Sequence, residues 1–286
     1  MMVRIVCIGE LLVDMIGREE GSLQENPGFE KRAGGAPANV AVAASRLGAD
    51  VEKVATVGDD EFGNFLVEKL EKEAIDVSHI EQVEEKTTLA FVSLDEEARP
   101  HFMFYRGADE HIVEDQLDLE LSGDDIVHIG SLPFTREETA DRLLEFVQGI
   151  PATVSFDPNL REDLMDESYE ETLREVVEHV DMLTAAEEEV KFFGGLEEVL
   201  DHTDEIVVTQ GSEGAELYTQ EGSYSASPPE VEVRDTTGAG DALTGAYLAY
   251  REKGPQEALE KAVEAAALST TEKGAMSSLP ERQELE

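Results

Sequence analysis

The sequence predicts a layered α/β protein built on a mostly parallel sheet, and three observations lead there. Short, nearly continuous apolar runs recur at residues 3–8, 125–129, 153–156 and 205–209, which suits strands buried on both faces of a parallel sheet. Segments of helical period lie between them. The last third of the chain ends in two Ala-rich stretches, 239–252 and 256–272, whose small side chains let helices pack closely on a sheet.

Taken in order, residues 3–8 form the first strand. Residues 11–33 hold Gly17, Gly21, Pro27 and Gly28 and contain no convincing helix. Helices are predicted over 38–47 and over 62–70, where Phe62, Phe65, Leu66 and Leu70 form one apolar stripe. Residues 87–106 read as two strands joined by a polar turn at 95–100. Together with 11–33 they make a small β-sheet inserted into the α/β core. A further helix is expected over 172–180, between the strands at 153–156 and 205–209. There is no internal repeat and no low-complexity linker, so one large domain, or one domain with a small appendage, is expected at this length.

Composition narrows the function. The 286 residues carry 66 Asp+Glu against 22 Lys+Arg, a formal charge of −44. Phosphate neutralisation on nucleic acid needs a basic face, and adhesion to an anionic membrane needs clustered Lys and Arg, so both are excluded as main roles. With 41% apolar residues in compact runs the chain folds, and its acids are spread over the surface. Carboxylates at that density repel across a Debye length of ~10 Å at about 0.1 M salt and hardly interact at ~3 Å near 1 M. The expected habitat is concentrated salt, as in the cytoplasm of a salt-accumulating halophile. Cys7 is the only cysteine, which excludes an intramolecular disulfide and a thiolate zinc cluster. It sits mid-strand as a small hydrophobe. The apolar stretch 5–8 is too short for a signal peptide and is followed by Glu10 and Asp14. No run approaches the ~20 apolar residues of a spanning helix, so a soluble, cytoplasmic protein is expected.

The strongest local motif is Asp235-Thr236-Thr237-Gly238-Ala239-Gly240-Asp241, followed at once by the apolar helix. Glycines flanking an alanine at a helix start let backbone N–H groups converge on an anion, where the helix dipole adds partial positive charge. A carboxylate in that first turn, Asp241, suits a base that takes a proton from an attacking hydroxyl. The same spacing also fits a glycine-rich turn whose acid contributes ~0.3–1 kcal/mol through the dipole. The P-loop, dinucleotide and protein-kinase motifs are all absent. A second motif, Gly34-Gly35-Ala36-Pro37-Ala38-Asn39, opens the helix that follows it. Its double glycine permits close approach of a ligand to the backbone, and Asn39 offers both donor and acceptor; a tight strand-to-helix turn is the other reading.

These two motifs, in this order and about 200 residues apart, resemble the signatures of the ribokinase/PfkB family of carbohydrate kinases. The opening Gly9-Glu10-Leu11-Leu12-Val13-Asp14 and the turn Thr209-Gln210-Gly211-Ser212-Glu213-Gly214 extend the likeness over nearly the whole chain. The resemblance implies a three-layer α/β/α, ribokinase-like core from residues 1–10, 34–86 and 107–286, with a lid from 11–33 and 87–106 over the sugar. It implies ATP-dependent phosphorylation of a sugar hydroxyl with Mg²⁺, in which Asp241 is the general base and Gly238, Ala239 and Gly240 form the anion hole. Asp14, Gly34, Gly35 and Asn39 match sugar-binding positions. Thr209, Gly211, Gly214 and Thr237 match the ATP site, and a K⁺ site is implied at Asp235, Thr237 and the backbone around Gly274. One departure stands out: where the family often carries N-x-x-E near the magnesium-phosphate site, this chain has Ala186-Glu187-Glu188-Glu189. Only the acid remains, at Glu189, to reach Mg²⁺ through water.

Within the family, the segments 102–109, 157–161 and 271–280 look like fructokinases and add Phe104, Arg106, Asp157 and Arg161 as sugar-binding positions. An arginine pair can instead clamp a carboxylate, so a 2-keto-3-deoxygluconate kinase is the alternative, and a catalytically impaired sugar-binding relative is the rival from another class. His101, His111 and His128 lack metal-ligand spacing. The resemblance also implies a homodimer paired through the lid, and with the acidic surface it points to a haloarchaeal source.

Overall fold

The computed structural model describes residues 3–19, 21–94, 100–161 and 164–285. The polar turn expected at 95–100 falls almost wholly outside them.

In chain order the elements are β1 (Arg4–Ile8), β2 (Leu12–Gly17), β3 (Phe29–Gly34), α1 (Ala36–Arg46), β4 (Asp50–Gly58), α2 (Glu61–Lys72), β5 (Asp76–Val83), β6 (Leu89–Leu94), β7 (Pro100–Tyr105), β8 (Ile126–Gly130), α3 (Glu137–Gly149) and β9 (Thr153–Asp157). They continue with α4 (Glu167–Val177), β10 (Met182–Ala186), α5 (Glu187–Phe192), α6 (Leu196–Leu200), β11 (Glu205–Thr209), β12 (Ala215–Thr219), β13 (Gly222–Ala226), α7 (Ala239–Tyr250), α8 (Pro255–Ser269) and α9 (Ala275–Ser278). Among the described residues nine strands form the large sheet in the order β13-β12-β11-β10-β9-β8-β1-β4-β5, parallel except at β11-β12 and β12-β13.

The apolar run of β1 alternates between two cores. Ile5 and Cys7 pack with α1, α2, α7 and α8 on one face, while Val6 and Ile8 pack with α3, α4, α5 and α6 on the other. Three layers result, as the family resemblance implies. A second sheet, β3-β2-β6-β7, is built from the two segments that break the α/β alternation. Asp14, Ala90 and Phe104 are in register across it, so they share a face. Met103 and Tyr105 are among its exposed side chains.

Some elements differ from the sequence reading. The helix predicted over 172–180 begins earlier, at Glu167, because the side chain of Asp166 accepts the Tyr169 N–H and caps it. The helix predicted over 256–272 stops at Ser269, and the Thr270 and Thr271 hydroxyls return to the carbonyls of Ala267 and Leu268. Strand β4 is absent from the sequence reading because Glu52 and Lys53 interrupt its apolar run. Both are nonetheless buried: Glu52 pairs with Arg4 at 2.8 Å and with His79, and Lys53 turns its ammonium to backbone carbonyls. Helix α3 went unread although Ala140, Leu143, Leu144 and Val147 form a helical stripe.

One packing contact positions the chemistry. A Cβ on Gly245 of α7 would lie 2.6 Å from the Ala43 Cβ and 2.7 Å from the Val40 carbonyl oxygen of α1. Glycine there lets the two helices meet backbone to side chain. Each brings one end of a buried hydrogen bond, described next.

Candidate active site

The carboxyl ends of the parallel strands lie on one edge of the sheet, and β1, β8 and β9 end there in Gly9-Glu10, Gly130-Ser131 and Asp157. Open α/β sheets bind ligands in the crevice outside such ends. The small sheet supplies Asp14 to the same place.

Asp241 occupies the first turn of α7 and is 7% exposed. Its Oδ2 accepts a hydrogen bond from Asn39 Nδ2 of α1 at 2.7 Å. Burial pushes its carboxyl up to about 6, opposed by that hydrogen bond and by the nearby Arg161 guanidinium. Asn39 Oδ1 is buried with no hydrogen-bond partner among the described residues. Asp14 is pushed up to about 7 by burial, with Arg161 opposing and Asp241 and Glu10 adding to the rise. A Cβ on Gly34 would overlap the Asp14 carboxylate, and one on Gly35, at φ +109°, would lie 2.6 Å from the Glu10 carbonyl oxygen. The double glycine is therefore a requirement of close approach.

Asp157 closes the other side. Its Oδ1 accepts the Asn159 N–H at 3.0 Å across a turn in which Asn159 takes φ +37°. Its carboxyl is held well above the ordinary range, first by burial, then by the charges of Glu189 and Asp241. Arg161 is the cation that opposes the rise at Asp14, Asp157 and Asp241 alike. The structure thus brings together Asp14, Gly34, Gly35, Asn39, Asp157, Arg161 and Asp241 from four separate stretches of chain.

Glu189 has a structural task as well. Its Oε2 accepts the Ala186 N–H and its Oε1 the Leu160 N–H, both at 2.7 Å, which ties the start of α5 to the segment leading to Arg161. Among the described residues no group of three or more His, Cys, Asp or Glu is arranged to hold a metal ion.

Gly238 stands at φ +79° as the N-cap of α7, and a Cβ there would lie 2.7 Å from the Ala275 Cβ. Gly240 has open space where a Cβ would be, so its backbone can be approached. Ala239 is the first residue of the helix, and its N–H donates to the Thr236 carbonyl at 3.2 Å, while the helix's leading amides have no carbonyl partner within it. Asp235 accepts the Thr237 N–H at 3.0 Å, the Thr237 hydroxyl at 2.6 Å and the Gly274 N–H at 2.8 Å, and these bonds hold its carboxyl below the usual range despite partial burial. Thr209 ends β11, and Gly211 and Gly214 take φ +56° and +105° in the turn to β12.

Arg106 is balanced in charge rather than closed by hydrogen bonds: its buried Nε and NH2 have no hydrogen-bond partner among the described residues. Its NH2 is 2.9 Å from Oδ2 of Asp109, whose side chain is fully buried, and its NH1 donates to Thr135 Oγ1 at 3.4 Å. Thr88 donates to the other Asp109 oxygen and accepts the Gly107 N–H at 2.8 Å. The sequence reading did not single out Asp109; its spacing three residues after Arg106 was the available signal. It also missed Ser131 and Tyr169, whose buried hydroxyls lie near Glu10 and Arg106, and gave no separate role to Glu10. No local pattern marks these three. Chemically, the arrangement offers a base for a hydroxyl proton, amides for an anion, and a pocket of alternating acids and arginines for a polyol.

The family described as "pfkB family carbohydrate kinase" matches residues 2–282. Among curated relatives, fructokinase-1 of Zea mays is 36% identical, over 98% of this chain and 96% of the relative. Among solved structures, a sugar kinase of Pyrococcus horikoshii in complex with ATP superposes with a TM-score of 0.89 at 34% identity, covering 98% of this chain and 96% of its own. A fructokinase of Vibrio cholerae in a fructose-, ADP- and calcium-bound form gives 0.86 at 31%, covering 99% and 98%.

Proposed function

We propose, from the premise that this chain belongs to the pfkB family of carbohydrate kinases, that it is a fructokinase. The chain is an ATP-dependent phosphotransferase with a sugar hydroxyl as acceptor. The observation that carries fructose over a sugar acid is the buried Arg106–Asp109 pair. An arginine already balanced by a fully buried aspartate adds no net charge for a substrate carboxylate, and the ionised Asp241 would repel one. A neutral ketose asks only for hydrogen bonds.

In this reading the sugar hydroxyl meets Asp241. Asn39 holds Oδ2, which leaves Oδ1 to take the proton as the hydroxyl oxygen attacks the terminal phosphorus of ATP and the bond to the bridging oxygen breaks, releasing ADP. With its carboxyl near 6, Asp241 is ionised at neutral pH and still close enough to the working pH to act as a base. The leading amides of α7, from Gly238 to Gly240, face the charge that develops on the transferred group. Asp14, Gly34, Gly35, Phe104, Arg106, Asp157 and Arg161 orient the sugar. Thr209, Gly211, Gly214 and Thr237 line the nucleotide. The strands at 11–33 and 87–106 act as the lid that keeps water from accepting the phosphoryl group.

Mg²⁺ bound with the nucleotide would neutralise phosphate charge. The fit comes from the donor set: the carboxylates of Asp157 and Glu189 lie near one another, and Mg²⁺ commonly takes one or two carboxylates and several waters. The Asp235 carboxylate is already taken by three donors, so a monovalent ion there would rest on backbone carbonyls. A second copy of the chain would cover Met103 and Tyr105 on the small sheet. No described helix is long and apolar enough to cross a membrane, and we place the enzyme in a salt-rich cytoplasm.

Coupled ADP release in concentrated KCl, run in parallel on fructose, 2-keto-3-deoxygluconate, ribose and adenosine, tests the reading. Fructose should give the highest kcat/KM. A higher value on the sugar acid would reverse the substrate assignment, and no ADP release on any of the four would favour a binding protein.

A further inference from the structure

We infer that Glu10 is a positioning residue, holding α1 so that Asn39 meets Asp241; this rests on the reading of Asp241 as the base. Glu10 is separated only by Gly9 from the end of β1, an interior strand of the large sheet between β8 and β4, and is 4% exposed. Helix α1 has no cap of its own, since Gly35 at its N-cap offers no side chain. Glu10 supplies one from 26 residues away: its Oε1 accepts the N–H of Ala36, the first helical residue, at 2.8 Å. Asn39 lies three residues further along the same rigid turn and donates to Asp241 at 2.7 Å. The main chain of Glu10 also packs under Gly35, so the carboxylate and its own backbone grip both sides of the sugar-binding turn.

The base of this grip is fixed by Lys53, which is fully buried. Its Nζ donates to the carbonyl of Gly9 at 2.9 Å, of Val54 at 3.2 Å and of Cys7 at 3.3 Å, locking the end of β1 to β4. Burial pushes the Glu10 carboxyl up to about 7, and the Lys53 charge opposes part of that rise. A buried ion in this place is costly, and an apolar residue of the same size would fill the space. What the apolar residue cannot do is accept the Ala36 N–H.

Three variants separate that acceptor from charge and from size. Glu10→Gln removes the charge and keeps the acceptor, Glu10→Met removes both at similar volume, and Glu10→Asp keeps the charge but shortens the reach. With fructose and ATP, Glu10→Gln should hold kcat within about fivefold of the parent. Glu10→Met and Glu10→Asp should lose about 100-fold, the scale of a misplacement of about 1 Å, with KM for ATP unchanged. Hydrogen exchange at the Ala36 amide should quicken by about tenfold or more in the last two and not in the first. Equal kcat in Glu10→Gln and Glu10→Asp, or Ala36 exchange indifferent to all three, overturns the inference. If the parent phosphorylates no sugar, the functional reading fails while the exchange result still decides whether Glu10 holds α1.

Discussion

Replacing Asp241 with Asn should destroy turnover and stabilise the fold at the same time. The carboxyl is pushed from its ordinary 3.8 up to about 6 in the folded protein. A group that binds its proton more tightly when folded favours folding at low pH and loses that contribution as pH rises through the folded value. Above pH 7 the ionised carboxylate therefore costs about 3 kcal/mol, from about two units at 1.36 kcal/mol each, taken as an upper figure. Asn has no charge to bury and can still accept the Asn39 N–H. With part of the gain lost because Arg161 is left less well balanced, about 1–3 kcal/mol should remain. For a chain of this size that is a rise in Tm of roughly 2–10 °C. The gain should be largest at pH 8, roughly halved near pH 5 and nearly absent at pH 4, where the parent carboxyl is protonated in the folded state. Differential scanning calorimetry at those pH values measures it, and ADP release measures kcat, which should fall by at least about 10³-fold. Near-normal turnover, or a Tm gain that does not grow with pH, would refute the reasoning.

Asp109→Asn should leave Arg106 uncompensated and shift kcat/KM toward 2-keto-3-deoxygluconate relative to fructose by roughly tenfold; an unchanged ratio would show that the pair does not set charge selection. Gly245→Ala should push α1 from α7 and destabilise by about 1–3 kcal/mol on denaturant melts, with kcat falling further than stability explains, because Asn39 and Asp241 separate; a neutral effect on both would mean that the helices are free to shift. Dialysis from concentrated KCl to about 0.1 M should unfold the protein by circular dichroism, since a charge of −44 is then hardly screened, and full retention of the fold would sink the halophile assignment.

The alternation of apolar runs and helical periods was enough to read the layered core, because strands buried on both faces carry that pattern wherever they lie in the sequence. The same logic failed at β4. Glu52 and Lys53 are solved by partners far along the chain, and a linear pattern shows the charges without the partners. Helix starts shifted where a cap decided them, as Asp166 did for α4.

For the site, the sequence by itself determined which residue types could do chemistry: the Gly238-Ala239-Gly240-Asp241 run, the Gly34-Gly35 turn with Asn39, and the acids and arginines at 14, 106, 157 and 161. Only the tertiary structure decided how they are paired. Asn39 and Asp241 are 202 residues apart and meet because Gly245 lets two helices touch; Arg106 is balanced by Asp109; Glu10 reaches Ala36 from beneath the turn. The reason is that burial and charge compensation are properties of three-dimensional neighbourhoods. A residue's chemistry is written in its side chain, but its pKa, its free donors and its aim depend on which distant groups the fold sets against it.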